Sequence, residues 1–381
     1  MPVRVDVTPS VLSWALGVAG ADEESLHRRF KVDKWLSAAS QPTLKQLQEF
    51  ARAAGVPFGY LLLPAPPKWK LPIPDFREGL QGAPTPSANL FAVIGQSQRR
   101  QDWYRDYILA LGAEPLAFVG SASESEPVET AAAIRHALRF EVDERRGTWA
   151  DTRKALLRRF EALGGLTVAT SMVENNPRRP LDEDEFRGFA LVDDIAPLVF
   201  VNTRQTLNGQ IFTLVHEFAH VWRGQSGIGN EDPRSYSQFE IERWCNAVAS
   251  EVLVPQGDLA ARHSKVADKP LTQALEALAQ DFRCGTLVVL QALHRTRVRR
   301  IDDYNAAYDA EVARLRSLGR ESQSSGGNHY NNQPFRIGER LSRALVADAL
   351  EGRTPISEAM RLMSIKSVST FDEYARRLGA A

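Results

Sequence analysis

The stretch IFTLVHEFAHVW, residues 211–222, decides how the rest of this sequence is interpreted. Its apolar residues recur at helical spacing and predict a helix over Gly209–Trp222. His216 and His220 are four residues apart, so both imidazoles lie on one face of that helix, one turn apart. In this H-E-x-x-H pattern the two imidazoles can bind one Zn²⁺, and Glu217 is placed to accept a proton from the water that the metal activates. The pattern predicts a catalytic zinc centre; the alternative is a helix that buries two histidines against its neighbours.

A catalytic zinc site needs a third protein ligand and an open fourth position. The helix predicted over Phe239–Val254 offers Glu240 and Glu242. Asn246 follows Glu242 by four residues, so the two share a helix face on which the amide can orient a ligand histidine. This spacing favours Glu242 over Glu240, while an exposed acidic helix face is the alternative. Tyr236, in the preceding loop, is a candidate for stabilising an oxyanion.

The elements around this helix predict an α+β fold that is mostly helical and contains a small antiparallel sheet. Gly188–Val192 and Leu198–Asn202 are predicted to form an antiparallel hairpin, and Leu166–Val173 is a further strand. We expect Leu198–Asn202, just before the zinc helix, to receive an extended substrate by strand addition. Residues 224–237 are predicted to be a polar loop.

Changes in composition along the chain predict its domain organisation. The predicted parts are a helical unit (1–65), a proline-rich connector (66–87), a main domain with a helical extension (88–320), a polar linker (321–334) and a helical C-terminal tail (335–381).

The overall charge excludes a protein that works by bulk electrostatics, because 47 Lys and Arg residues balance 47 Asp and Glu residues over 381 residues. Any contact with nucleic acid must therefore come from a local patch. A basic cluster does occur at the end of a predicted helix, at His294, Arg295, Arg297, Arg299 and Arg300. A solvated helix end is the favoured interpretation, because cations there suit the helix dipole, and an anion or partner site is the alternative.

The predicted location is the cytoplasm. The sequence shows no secretory signal and no apolar run long enough to span a membrane, so we expect no membrane partner. Cys245 and Cys284 have no C-x-x-C spacing, which fits a reducing compartment, and both are interpreted as buried small apolar residues.

Two stretches together resemble the ImmA/IrrE metallopeptidases, cytosolic bacterial and phage proteins with a gluzincin-like zinc site. They are IFTLVHEFAHVW (211–222) and ERWCNAVASEVLVP (242–255). Many members have a second Glu where this chain has Trp244, a departure that supports Glu242 as the ligand position.

The resemblance implies a zincin-like peptidase core. It implies that His216, His220 and Glu242 bind Zn²⁺ and that Glu217 is the general base. The implied activity is that of a zinc metalloendopeptidase that cleaves a protein partner, such as a regulator or a toxin–antitoxin or stress-response component. The alternative is an antitoxin or DNA-binding transcriptional regulator whose metal site is structural or vestigial.

The N-terminal unit resembles the Cro/repressor-type helix-turn-helix through the segment QPTLKQLQEFARAAGVPFGYLLLPAPP (41–67). Only ten residues separate Phe30 from Gln41, fewer than a turn and a full recognition helix need. The unit is therefore expected to be a degenerate scaffold, with DNA binding as the alternative.

Overall fold

The computed structural model of the chain describes residues 3–20, 23–77, 85–229, 237–321 and 336–379. It confirms a mostly helical α+β architecture. The helices that precede the first strand are α1 (Pro9–Gly17), α2 (Glu23–Arg29), α3 (Val32–Leu36), α4 (Leu44–Ala54), α5 (Ala88–Ala110), α6 (Pro127–Ala137) and α7 (Trp149–Ala162). Those that follow are α8 (Leu207–Arg223), α9 (Glu240–Leu253), α10 (Gln256–His263), α11 (Leu271–Phe282), α12 (Thr286–Thr296), α13 (Tyr304–Glu321), α14 (Glu339–Leu350), α15 (Ile356–Leu362) and α16 (Val368–Arg377).

The sheet contains β1 (Leu166–Thr170), β2 (Gly188–Leu191), β3 (Leu198–Asn202) and β4 (Gly227–Gly229), in the order β1-β3-β2-β4. The β2–β3 hairpin is antiparallel, as predicted, but β1 pairs with β3 in parallel. The prediction of an antiparallel sheet was therefore wrong, because the sheet is mixed. The chain passes from β1 to β2 before it forms β3, and β3 then lies between these two strands, parallel to β1. The predicted polar loop also contains β4, a short strand that pairs with β2.

The prediction that β3 receives a substrate strand was also wrong. This strand is paired on both sides, with β1 and with β2, so its main-chain groups are already used. The connector covers the outer side of β4: Phe76 donates its main-chain N–H to the oxygen of Ile228 at 2.8 Å, and Ile228 donates to the oxygen of Pro74 at 3.1 Å. Strand addition at Ile228 would therefore have to displace the connector.

The two faces of the sheet belong to two different cores, because successive side chains along a strand point to opposite faces. Val199 and Val201 pack into the core formed with α6, α7, α8, α9, α11 and α12. Leu198 and Phe200 pack into a second core formed with α5 and the C-terminal helices α14, α15 and α16. The sheet thus holds α8 on one face and the C-terminal helices on the other.

The N-terminal helices enclose a third core. Helix α4 begins with a capping box, in which Thr43 Oγ1 accepts from the N–H of Gln46 and Gln46 Oε1 accepts from the N–H of Thr43. It ends at Gly55, whose left-handed φ of 77° suits glycine. Helix α3, in the place of a recognition helix, has five residues.

A buried carboxylate joins the C-terminal helices to the main domain. Glu161, near the end of α7, accepts hydrogen bonds from the N–H groups of Glu339 and Arg340 at 3.1 and 3.3 Å and from the hydroxyl of Thr167 at 2.7 Å. Glu161 therefore accepts hydrogen bonds from main-chain N–H groups in the first turn of α14, which have no acceptor within the helix. Within the described residues, no helix combines the length and the apolar character that a bilayer crossing requires.

Candidate metal centre

Helix α8 holds the H-E-x-x-H residues in the interior. The helix begins where Thr206 Oγ1 accepts from the N–H of Gly209 at 3.2 Å, and it ends at Gly224, which is left-handed with φ 82°. Its apolar side chains pack into the first core. His216, Glu217 and His220 are therefore buried, with exposed fractions of 0%, 1% and 1%.

Helix α9 places Glu242 against both histidines. Glu242 Oε2 lies 3.2 Å from Nε2 of His216, and Glu242 Oε1 lies 3.2 Å from Nε2 of His220. The two Nε2 atoms are themselves 3.2 Å apart. Glu240 is exposed at the start of the same helix. Of Glu240 and Glu242, the two third ligands that the spacing offered, only Glu242 contacts the histidines.

The other ring nitrogens are held by hydrogen bonds that set the tautomers. His220 Nδ1 lies 3.1 Å from the main-chain oxygen of Gln225, which can only accept, so Nδ1 carries the proton. His216 Nδ1 lies 3.0 Å from Oδ1 of Asn246 and donates in the same way. Each Nε2 atom therefore faces the Glu242 carboxylate: a neutral ring presents a lone pair there, and a protonated ring donates a hydrogen bond to the carboxylate.

Three electron-pair donors therefore converge on one point, an arrangement that a cation stabilises. Tetrahedral zinc with ligands at about 2.0–2.1 Å separates neighbouring ligand atoms by about 3.3–3.4 Å. The three 3.2 Å separations are close to that value. Glu242 Oε1 is also buried without a hydrogen bond of normal geometry among the described residues. The donor set and its spacing fit a zinc ion.

The electrostatics of Glu242 agree with a cationic environment. Burial alone raises the pKa of this carboxyl, but the hydrogen bonds and charges of His216 and then His220 act in the opposite direction. Together they hold the pKa of Glu242 well below its ordinary value. Glu242 is therefore ionised and available as a ligand even though its side chain is buried.

Glu217 follows His216 on α8, and its carboxylate lies against the start of strand β2. A β-carbon built on Gly188 would stand 2.7 Å from Glu217 Oε1 and 2.5 Å from a methyl carbon of Thr213. Only a glycine at the start of β2 leaves room for this carboxylate. Sequence reasoning missed Gly188, because this contact joins residues far apart in the chain.

Two further residues near the histidines were not predicted as site residues. Cys245 is fully buried, and its Sγ and one ring nitrogen each of His216 and His220 lie within 4.8 Å of one another. It follows Glu242 by three residues on α9, a helical spacing that could have indicated it. Cys284 is buried elsewhere, in the first core, where burial raises the pKa of its thiol to about 12. Both cysteines are buried, as predicted.

Phe76 of the connector is the second unpredicted residue. Its ring is nearly parallel to that of His220, with centroids 6.2 Å apart, and lies 5.2 Å from the ring of Phe239. The connector therefore forms one wall of the metal centre. Tyr236, considered for an oxyanion role, lies outside the described residues.

Comparison with known families identifies two parts of the chain. Residues 167–294, which include β1–β4, α8 and α9, match the family model described as the IrrE N-terminal-like domain (Peptidase_M78). Residues 337–377, the C-terminal helices, match a domain of unknown function (DUF8813). Neither a curated protein nor a solved structure gives a significant match to this chain.

Proposed function

We propose that this chain is a zinc-dependent endopeptidase that cleaves a protein partner, such as a regulator or a toxin–antitoxin or stress-response component. The observation that carries the proposal is the convergence of His216, His220 and Glu242 on one point, and a buried glutamate, Glu217, follows His216 on the same helix. The similarity of residues 167–294 to a peptidase domain supports the same activity.

His216, His220 and Glu242 would hold the metal. A bound zinc ion would supply Lewis-acid polarisation of the scissile carbonyl and would make an attacking water more acidic. Asn246 and the main-chain oxygen of Gln225 fix the ring orientations, so that both Nε2 atoms face the site.

Glu217 is the proposed general base. Its carboxylate accepts a proton from the attacking water and then delivers it to the departing amine. Gly188 keeps the space that this carboxylate occupies. The ring of Phe76 stacks on that of His220 and contacts that of Phe239, and apolar rings at this position would strengthen electrostatic interactions inside the site by limiting the access of water.

The partner can be found by co-expression. The chain and its Glu217→Gln variant are each expressed with the products of neighbouring genes, and the partner proteins are followed by mass spectrometry. We expect cleavage at a defined peptide bond with the wild type and none with the variant. Cleavage at the same bond with both proteins would contradict the proposed role of Glu217.

A second candidate is a binding protein, an antitoxin or regulator, with a structural metal site, and Cys245 is the observation that favours it. Structural zinc sites are closed by four protein ligands, whereas catalytic sites keep one position open. A Cys245 thiolate beside two histidines and Glu242 would complete a closed set. Cys245→Ser separates the two functions: zinc binding and cleavage both persist if the site is catalytic, and zinc binding weakens if the thiolate is a ligand.

A further inference from the structure

A large basic cleft adjoins the metal centre at Asn246, and its lining comes from α9, from the end of α12 and from the segment that leads into α13. Its volume is about 1040 Å³, at the upper end of ligand-binding cavities. The arginines that line it are Arg243, Arg295, Arg297, Arg299 and Arg300, and His294 lies among them. No carboxylate is among the described residues that line it. In a chain with no net charge, this is a strong local concentration of positive charge.

Much of this charge is not neutralised internally. Arg295 pairs with the buried Glu251 at 3.3 Å, and Arg300 pairs at 2.8 Å with Asp302 on the surface. Within the described part of the chain, no ion pair joins Arg243, Arg297 or Arg299 to a carboxylate. Nη1 of Arg299 is buried without a hydrogen-bond acceptor there. A buried cationic donor of this kind gains free energy from an incoming anion.

Asn246 connects the cleft to the metal centre, because it contributes to both. This residue lines the cleft and holds His216 through its side-chain oxygen. Ser250 and Gln291 also line the cleft, where the Ser250 hydroxyl donates to Gln291 Oε1 at 3.3 Å. Such neutral groups hydrogen-bond well to a peptide main chain, whereas the arginines bind carboxylates.

We propose that this cleft binds an acidic segment of the protein that the chain cleaves, an inference that rests on the proposed peptidase function. A peptide is favoured over a nucleic acid because, among the described lining residues, Tyr304 is the one Phe, Tyr or Trp, and its ring is already stacked on His294 at 4.3 Å. Sites for single-stranded nucleic acid instead present aromatic rings on which the bases stack. The acidic segment determines which proteins are held next to the zinc ligands.

The test measures binding separately from cleavage. The zinc-loaded Glu217→Gln protein is titrated into a fluorescent peptide of alternating glutamate and glycine, and anisotropy is followed at several salt concentrations. Arg297→Glu/Arg300→Glu is the cleft variant. Arg139→Glu/Arg178→Glu is its matched control: both arginines are exposed and outside the cleft, and Arg139 shares the left-handed backbone of Arg297, with φ 48° against 56°.

We expect the peptide to bind, binding to weaken with added salt, and the cleft variant to lose affinity by about tenfold or more while the control keeps it. Circular dichroism verifies folding, and Arg297→Gln/Arg300→Gln replaces the cleft variant if charge reversal unfolds the chain. No binding, or equal loss in the control, would overturn the inference. Tighter binding of a single-stranded oligonucleotide, with the same dependence on the cleft arginines, would also overturn it. Failure of the peptidase itself is seen separately, as absence of cleavage by the wild type with peptide binding intact.

Discussion

Gly188 and Glu217 lie so close together that a β-carbon on the glycine would stand 2.7 Å from the glutamate carboxylate. The same carbon would lie 2.9 Å from the main-chain oxygen of Phe200, which cannot rotate away. Strand β2 and helix α8 therefore pack without spare space at Glu217, the residue proposed to transfer the proton.

Replacing Gly188 with alanine should therefore displace Glu217. We expect a loss of about 1–3 kcal/mol in the free energy of unfolding and a strong loss of cleavage, because the core is overpacked at this contact. Zinc content should remain, since the three atoms nearest to the added carbon belong to Thr213, Glu217 and Phe200 and not to the proposed ligands. Urea unfolding, zinc analysis and peptidase assays measure the three effects. Gly257→Ala is the control, because nothing lies within 4 Å of its added carbon. A Gly188→Ala protein with unchanged stability and activity would show that the close contact between Gly188 and Glu217 has no such role.

Two glutamates of helix α9 provide a matched pair of variants that tests which of them is the third zinc ligand. Glu242→Ala should lower zinc affinity severely, because the variant keeps two of the three proposed protein ligands. Glu240→Ala removes an exposed carboxylate two residues away and should leave zinc affinity unchanged. Competition with a fluorescent chelator measures both affinities. Equal affinities in the two variants would show that Glu242 is not a ligand.

Asn246 is expected to act on the metal through His216. Asn246→Ala removes the acceptor for the Nδ1 proton, and loss of such a partner typically weakens metal binding by about 10–100-fold. Asn246→Asp keeps an acceptor oxygen and should restore most of the affinity. If the alanine and aspartate variants bind zinc equally, the hydrogen bond has no such role.

Glu161 should make stability depend on pH. Burial raises the pKa of this carboxyl in the folded chain above its ordinary value of 4.5, so the folded state holds the proton more tightly than the unfolded state. Its contribution is then fully present below pH 4.5 and is lost as pH rises through the folded pKa. The unfolding free energy of the wild type minus that of Glu161→Gln should fall across this range in urea titrations. A difference that rises with pH would contradict the assigned direction.

The residues that sequence analysis found are those related by short spacings. His216, Glu217 and His220 lie on one helix, and Glu242 and Asn246 share a face of the next, so helical periodicity was enough to group them. The structure brings the two faces together, although their roles stay predictions. The helices were also predictable, because their apolar periodicity and caps are local signals.

The features that were missed depend on contacts between distant segments. Gly188 and Phe76 reach the site from a strand and from the connector, and neither has a local pattern that indicates this. β4 has three residues, too few for a periodic signal, and the parallel β1–β3 pairing depends on how the chain crosses over. Arg243 joins the basic cluster from another helix, which turns an apparent solvated helix end into one side of a cleft.

The central claim, a zinc peptidase with Glu217 as its general base, is tested most directly with purified Glu217→Gln. Zinc content and cleavage of a partner protein are measured on the same preparation, next to wild type and to wild type treated with a chelator and then reloaded with zinc. We predict about one zinc per chain in the variant with no cleavage, and recovery of cleavage in the reloaded wild type. Wild-type rates of cleavage by the zinc-loaded variant would contradict the account.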